Sequence, residues 1–110
     1  MQLTIDIVND YMIVKLRGEL DHHTSEYARK KIDQRYYSNN SANIVLDLRE
    51  LNFMDSAGIG LIMGRYKNCI DRNGKVSIVS TSPYINRMLK MSGIQKLVDI
   101  YQTIEEAIKG

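Results

Sequence analysis

A chain of 110 residues supports one compact domain, residues 1–110, and a domain of this size buries roughly 65% of its unfolded surface, so a core forms without covalent staples. Composition is ordinary, at 44% hydrophobic and 25% charged residues, and 15 basic residues interspersed among 13 acidic ones leave a net charge of +2, too weak a field for general nucleic-acid binding. Cys69, the only cysteine, excludes an internal disulfide and fits a reducing compartment, while Asp6, Asp10, Lys15, Arg17 and Glu19 interrupt any signal-peptide stretch.

In chain order, Leu3–Val8 alternates apolar and polar residues as a half-buried strand does, and Asn9-Asp10 is a turn signal. Tyr11–Leu20 alternates again, so the first two strands form a hairpin. Asp21 or Thr24 caps a helix running to about Tyr37, and Ser38–Ser41 is a loop. Ile44–Leu48 is a short apolar run typical of a buried strand. The next helix starts at Ser56 and ends near Asn73-Gly74, where glycine is a helix stop. Val76–Val79 is a strand, Pro83 opens a helix reaching Ser92-Gly93, Leu97–Tyr101 is a fifth strand, and Thr103 with Glu106 forms a capping box for a last helix. An opening hairpin followed by alternating strands and helices predicts an α/β fold, a mixed sheet of about five strands with about four helices. No apolar run approaches the ~20 residues that span a bilayer, and no Cys/His cluster has zinc spacing. The expectation is a soluble cytoplasmic domain with no metal, cofactor, membrane or direct nucleic-acid partner.

The segment Asn52–Gly60 is the most informative part of the chain. Ser56 falls at a strand-to-helix junction, at or next to the N-cap, exposed and at the positive end of the helix dipole. A hydroxyl there is a cap, a nucleophile or a phosphate acceptor. Projected at about 100° per residue, Ile59, Ile62, Met63, Tyr66, Cys69 and Ile70 fall within an arc of about 120° that reads as the core stripe. Opposite lie Ala57, Gly60, Leu61, Gly64 and Asn68, with Arg65 at the edge. Each interior glycine costs on the order of 1 kcal/mol relative to alanine, and sheet packing on the other face does not account for them. A smooth exposed face carrying a lone apolar Leu61 is what a docked partner needs.

Asp21, His22 and His23 end the second strand, beside the Ser56 turn in this topology. With Ser56, and with Asp55 as the other acidic candidate, they supply the residue types of a catalytic triad. The nucleophile elbow's leading glycine is absent, however, with Met54 in its place, and so short a chain offers little room for a large pocket. No P-loop spacing occurs. Cys69 reads as an inert buried thiol, and Tyr36-Tyr37 and Met88/Met91 read as core or loop packing.

Two motifs, Gly18-Glu19-Leu20-Asp21-His22-His23-Thr24 and Phe53-Met54-Asp55-Ser56-Ala57-Gly58-Ile59-Gly60 continuing to Gly64-Arg65-Tyr66-Lys67, together resemble the STAS-domain anti-anti-sigma factors, the sporulation type above all. The resemblance covers essentially the whole chain. It implies a partner switch with no catalytic activity of its own. The unphosphorylated protein binds an anti-sigma factor that is a serine kinase and frees its sigma factor. Phosphorylation, here on Ser56, switches it off, and a serine phosphatase restores it. Many relatives carry a second serine where this chain has Ala57, so Ser56 has no neighbouring competitor. The partner surface expected on this reading comprises Glu19, Asp21 and His22 from the first motif. The second contributes Asp55, Ala57, Gly58, Gly60, Leu61, Gly64 and Arg65. The free protein is expected to be a monomer. The alternatives are a STAS scaffold module of a stress-signalling complex and a small hydrolase.

Overall fold

A computed structural model describes residues 1–109. Strands β1 (Gln2–Val8), β2 (Tyr11–Leu20), β3 (Asn43–Met54), β4 (Val76–Val79) and β5 (Asp99–Tyr101) form one sheet in the order β1-β2-β3-β4-β5. β1 and β2 are the expected antiparallel hairpin, turned at Asn9, whose φ of 54° is tolerated by asparagine. β2, β3, β4 and β5 run parallel, joined by helices α1 (Ser25–Tyr37), α2 (Ser56–Asp71) and α3 (Pro83–Ser92), and α4 (Ile104–Lys109) follows β5. The mixed α/β fold is as the sequence predicts.

The two faces of the sheet are covered unequally. The main core joins Met12, Val14 and Leu16 of β2 and Ile44, Leu46 and Leu48 of β3 to Ala28, Ile32 and Tyr36 of α1, Leu61, Ile62 and Cys69 of α2, and Ile85 and Leu89 of α3. The opposite face has a smaller cluster, Ile13, Val45 and Val79 under Ala107 of α4. Local signals explain most boundaries. Ser82 Oγ accepts the Ile85 N–H at 3.3 Å, Pro83 starts α3, and Gly93 ends it at φ 78°. Thr103 Oγ1 accepts from the Glu106 N–H at 3.1 Å while Glu106 accepts from the Thr103 N–H at 3.1 Å, the reciprocal capping box.

Three boundaries depart from expectation. β3 continues six residues past Leu48 to Met54, because Leu51 and Met54 turn into the core and the register with β2 shifts between Lys15 and Arg17 and again between Gly18 and Glu19. β5 is shortened by a 3₁₀ turn, Ile94–Lys96, which takes up the chain ahead of it. At the end of α2 the left-handed residue is Asn73, at φ 59°, and not Gly74. Gly74 is required for a different reason, since a Cβ there would collide with the Ala42 carbonyl.

Candidate site at the β3–α2 turn

Parallel pairing places Leu20 opposite Met54, so the chain leaves β2 and β3 side by side. The Asp55 N–H donates to the Leu20 carbonyl at 3.2 Å, joining the two turns directly. Asp55 is the N-cap of α2, its Oδ1 accepting the Ala57 N–H at 2.8 Å. Ser56 is therefore the first helical residue and not the cap, and its exposed hydroxyl takes no hydrogen-bond partner among the described residues. Tyr84 of α3, a residue with no functional signal in the sequence, donates its hydroxyl to the Met54 carbonyl at 2.9 Å and fastens the turn from its third side.

Across the turn, Asp21 Oδ1 accepts from the N–H groups of His23 at 2.9 Å and Thr24 at 3.0 Å. The Thr24 N–H contributes most to holding this exposed carboxyl below the usual carboxylate range. Thr24 occupies the N-cap of α1 without capping it; its hydroxyl donates to the Glu19 carbonyl at 2.8 Å and accepts the Asp21 N–H at 3.0 Å. His22 and His23 are exposed, their ring centroids 4.0 Å apart. Glu19, Asp21, His22, Asp55 and Ser56 thus gather at the carboxyl end of the sheet, as expected. The triad geometry does not form: both aspartates are engaged by backbone N–H groups, and neither histidine hydrogen-bonds Ser56 among the described residues.

The orientation of α2 corrects the helix projection. Its buried residues are Gly58, Leu61, Ile62, Arg65 and Cys69; of the expected stripe, Ile62 and Cys69 are buried and Ile59, Met63 and Tyr66 pack half-buried against the core, so the buried arc is widened toward Leu61 and Arg65. Leu61 is 5% exposed and belongs to the core, whereas Ile70, expected inside, is 49% exposed. The cause is a second neighbour: α2 packs on the sheet and also against α1, and Leu61 and Arg65 face the seam between them. Gly58 lies at the sheet, where a Cβ would collide with the Met54 side chain, so it is a packing residue and not surface. Gly60 and Gly64 do face open space, with nothing within 4 Å of an added Cβ.

Between α1 and α2 runs an open groove of about 420 Å³, walled by Ser25, Glu26 and Arg29 on one side and Ala57, Gly60, Leu61, Gly64 and Arg65 on the other. Five of the expected partner residues meet there. Cys69 is fully buried beneath, and burial pushes its thiol pKa up, consistent with an inert side chain. Tyr36 is core, but Tyr37 and Met91 are exposed at 58% and 81%. Among the described residues no group of three or more His, Cys, Asp or Glu side chains is placed to hold a metal, and no helix is long and apolar enough to cross a membrane.

A family model for the STAS domain matches residues 2–107, and the chain belongs to that family. Among curated relatives, it is 38% identical over 108 residues to the anti-sigma F factor antagonist of Paenibacillus polymyxa, covering 98% of this chain and 92% of that protein. Among solved structures, it superposes on the anti-sigma factor antagonist SpoIIAA in its unphosphorylated form with a TM-score of 0.84 at 30% identity, covering 97% of this chain and 93% of that one. The phosphorylated form of the Bacillus cell-fate determinant SpoIIAA gives 0.75 at 30% identity, covering 98% and 97%. The names these relatives carry are those of regulators and not of enzymes.

Proposed function

We propose that this chain is an anti-sigma factor antagonist whose unphosphorylated form binds an anti-sigma serine kinase and releases a sigma factor, and that phosphorylation of Ser56 turns it off. The observation that carries this reading is the free, exposed Ser56 hydroxyl on the first turn of α2, with helix capping already performed by Asp55. Its support comes from the similarity to antagonists solved with and without phosphate.

A phosphate on Ser56 adds about −1.5 to −2 charge. The helix N-terminus welcomes it by roughly 0.3–1 kcal/mol, and the neighbouring Asp55 carboxylate opposes it. The fold persists while the surface potential beside the groove becomes strongly more negative. A partner that buries this turn then has to desolvate the added charge, which is costly, so release needs no rearrangement of the domain. A serine phosphatase resets the switch in the cytoplasm, and the free protein acts as a monomer. The surface that meets the kinase comprises Glu19, Asp21, His22, Asp55 and the groove wall of α2.

Incubation with the kinase and ATP, followed by intact mass and phosphopeptide mapping, tests the reading. One phosphate, on Ser56, is expected. Phosphate on Thr24, Ser25 or Ser82 would overturn the assignment.

A further inference from the structure

The α1–α2 groove contains a cation that the protein itself leaves incompletely compensated. Arg65 is 5% exposed and lines the groove. The Asp33 carboxylate approaches its Nε to 2.9 Å, but off the N–H axis, so that neither Nε nor Nη1 has a hydrogen-bond acceptor. Asp33 is also shared: Asn68 donates to it at 3.3 Å and Arg29 lies 4.0 Å away. Burial outweighs the attraction of Asp33 and holds the guanidinium below the usual arginine range, and Arg29 pushes the same way. A buried charge without good partners is expensive and gains most from an anion supplied from outside.

The groove is shaped to admit one. Gly60 and Gly64 leave two positions of its α2 wall without side chains. On the facing wall Arg29, 45% exposed, is paired with Glu26 at 2.9 Å, and Glu26 is 67% exposed. An ion pair this exposed is weak and exchanges readily for a better acceptor. Two guanidinium groups thus flank an open slot whose lining, among the described residues, includes one acid, Glu26, at the surface, while Asp33 beside Arg65 is already shared.

We propose that this groove seats an aspartate or glutamate side chain of the anti-sigma kinase, whose carboxylate pairs with Arg65 and Arg29. The proposal rests on the antagonist reading above and names the chemistry of the partner at that site. It also supplies the switch with a direct mechanism. Ser56 precedes the groove-lining Ala57 by one residue, so a phosphate there confronts the incoming carboxylate with like charge.

The test is the calorimetric affinity of the kinase for the wild-type protein and three variants, alongside their melting curves. Arg29→Glu should weaken binding at least about tenfold, whereas Arg29→Lys, which keeps the charge, should stay within about threefold. Arg65→Met should weaken binding by a similar factor with the fold retained; its melting temperature falls only modestly, because the part-exposed Asp33 loses one partner but keeps Asn68 and Arg29. Wild-type affinity in both Arg29→Glu and Arg65→Met overturns the proposal and leaves the antagonist reading intact. So does a large melting loss in Arg65→Met with Arg29→Glu binding normally, because Arg65 is then only a structural partner of Asp33. If the wild-type chain does not bind the kinase at all, the antagonist reading fails instead, and glutarate titrated into the wild-type protein by NMR decides the groove. Shifts at the Gly60 and Gly64 amides that vanish in Arg29→Glu support a carboxylate site. No shift, or displacement of glutarate by far less inorganic phosphate, overturns it.

Discussion

The two ends of the parallel strands are built on opposite principles. At the amino end, side chains tie the loops together through several hydrogen bonds. Arg72 donates to the carbonyls of Tyr36, Asn39 and Ser41 at 3.0, 3.2 and 3.1 Å, and its guanidinium lies 4.2 Å from the Tyr36 ring centroid. Asp10 accepts the Ala42 N–H at 3.0 Å, and Asn43 accepts the Lys75 N–H at 3.0 Å. At the carboxyl end the backbone is fastened just as firmly through Asp55 and Tyr84, but Ser56, the histidines and the groove are left to solvent. Parallel α/β sheets commonly bind ligands at the carboxyl ends of their strands. Here the amino end is cross-linked by its own side chains, and the Ser56 hydroxyl and the groove lie open at the other.

Substitutions that cross this division sharpen or break it. The largest effect is expected from Leu61→Ala, which empties a core position under the groove and should cost about 2–5 kcal/mol in a denaturant melt. A loss of less than about 1 kcal/mol would restore the exposed Leu61 of the helix projection. Gly74→Ala, at the cross-linked end, forces the Ala42 carbonyl to move and should cost about 1–3 kcal/mol by the same measurement. Gly60→Ala, at the open end, adds a methyl to empty space and should raise stability by up to about 1 kcal/mol. A destabilised Gly60→Ala would mean that the groove is closed in solution. Ser56→Asp should change stability least, by under about 0.5 kcal/mol, while weakening kinase binding measurably in titration calorimetry. A normal melt with undiminished affinity would remove electrostatic exclusion as the basis of the switch.

Much of this architecture was readable from local chemistry. Ser82, Pro83 and Gly93 bracket α3, Thr103 and Glu106 start α4, and Val76–Val79 is bounded as its β-branched run suggests. The juxtaposition of the two motif turns also follows from parallel pairing. What could not be read depended on partners distant in sequence. The extension of β3 hides behind Arg49, Glu50 and Asn52, which are exposed while Leu51 and Met54 are buried across two register shifts. The second buried side of α2 is set by α1, thirty residues earlier in the chain, and a single-helix projection assumes one buried side. Arg65 looked like an edge cation because nothing local announces Asp33. Tyr84 carries no sequence signal for its bond to Met54; it is an aromatic residue in a first helical turn until the fold brings β3 beside it.

The division of labour between Asp55 and Ser56 has a consequence for inheritance as well as for signalling. Because the helix-starting bond belongs to Asp55, the Ser56 side chain makes no capping hydrogen bond that its modification would break. Under the proposed switch, a cell modifies and restores it through many rounds without enlarging the pool of unfolded chains exposed to proteases. The same separation lets mutation retune how fast or how completely the serine is modified without first compensating a weakened fold.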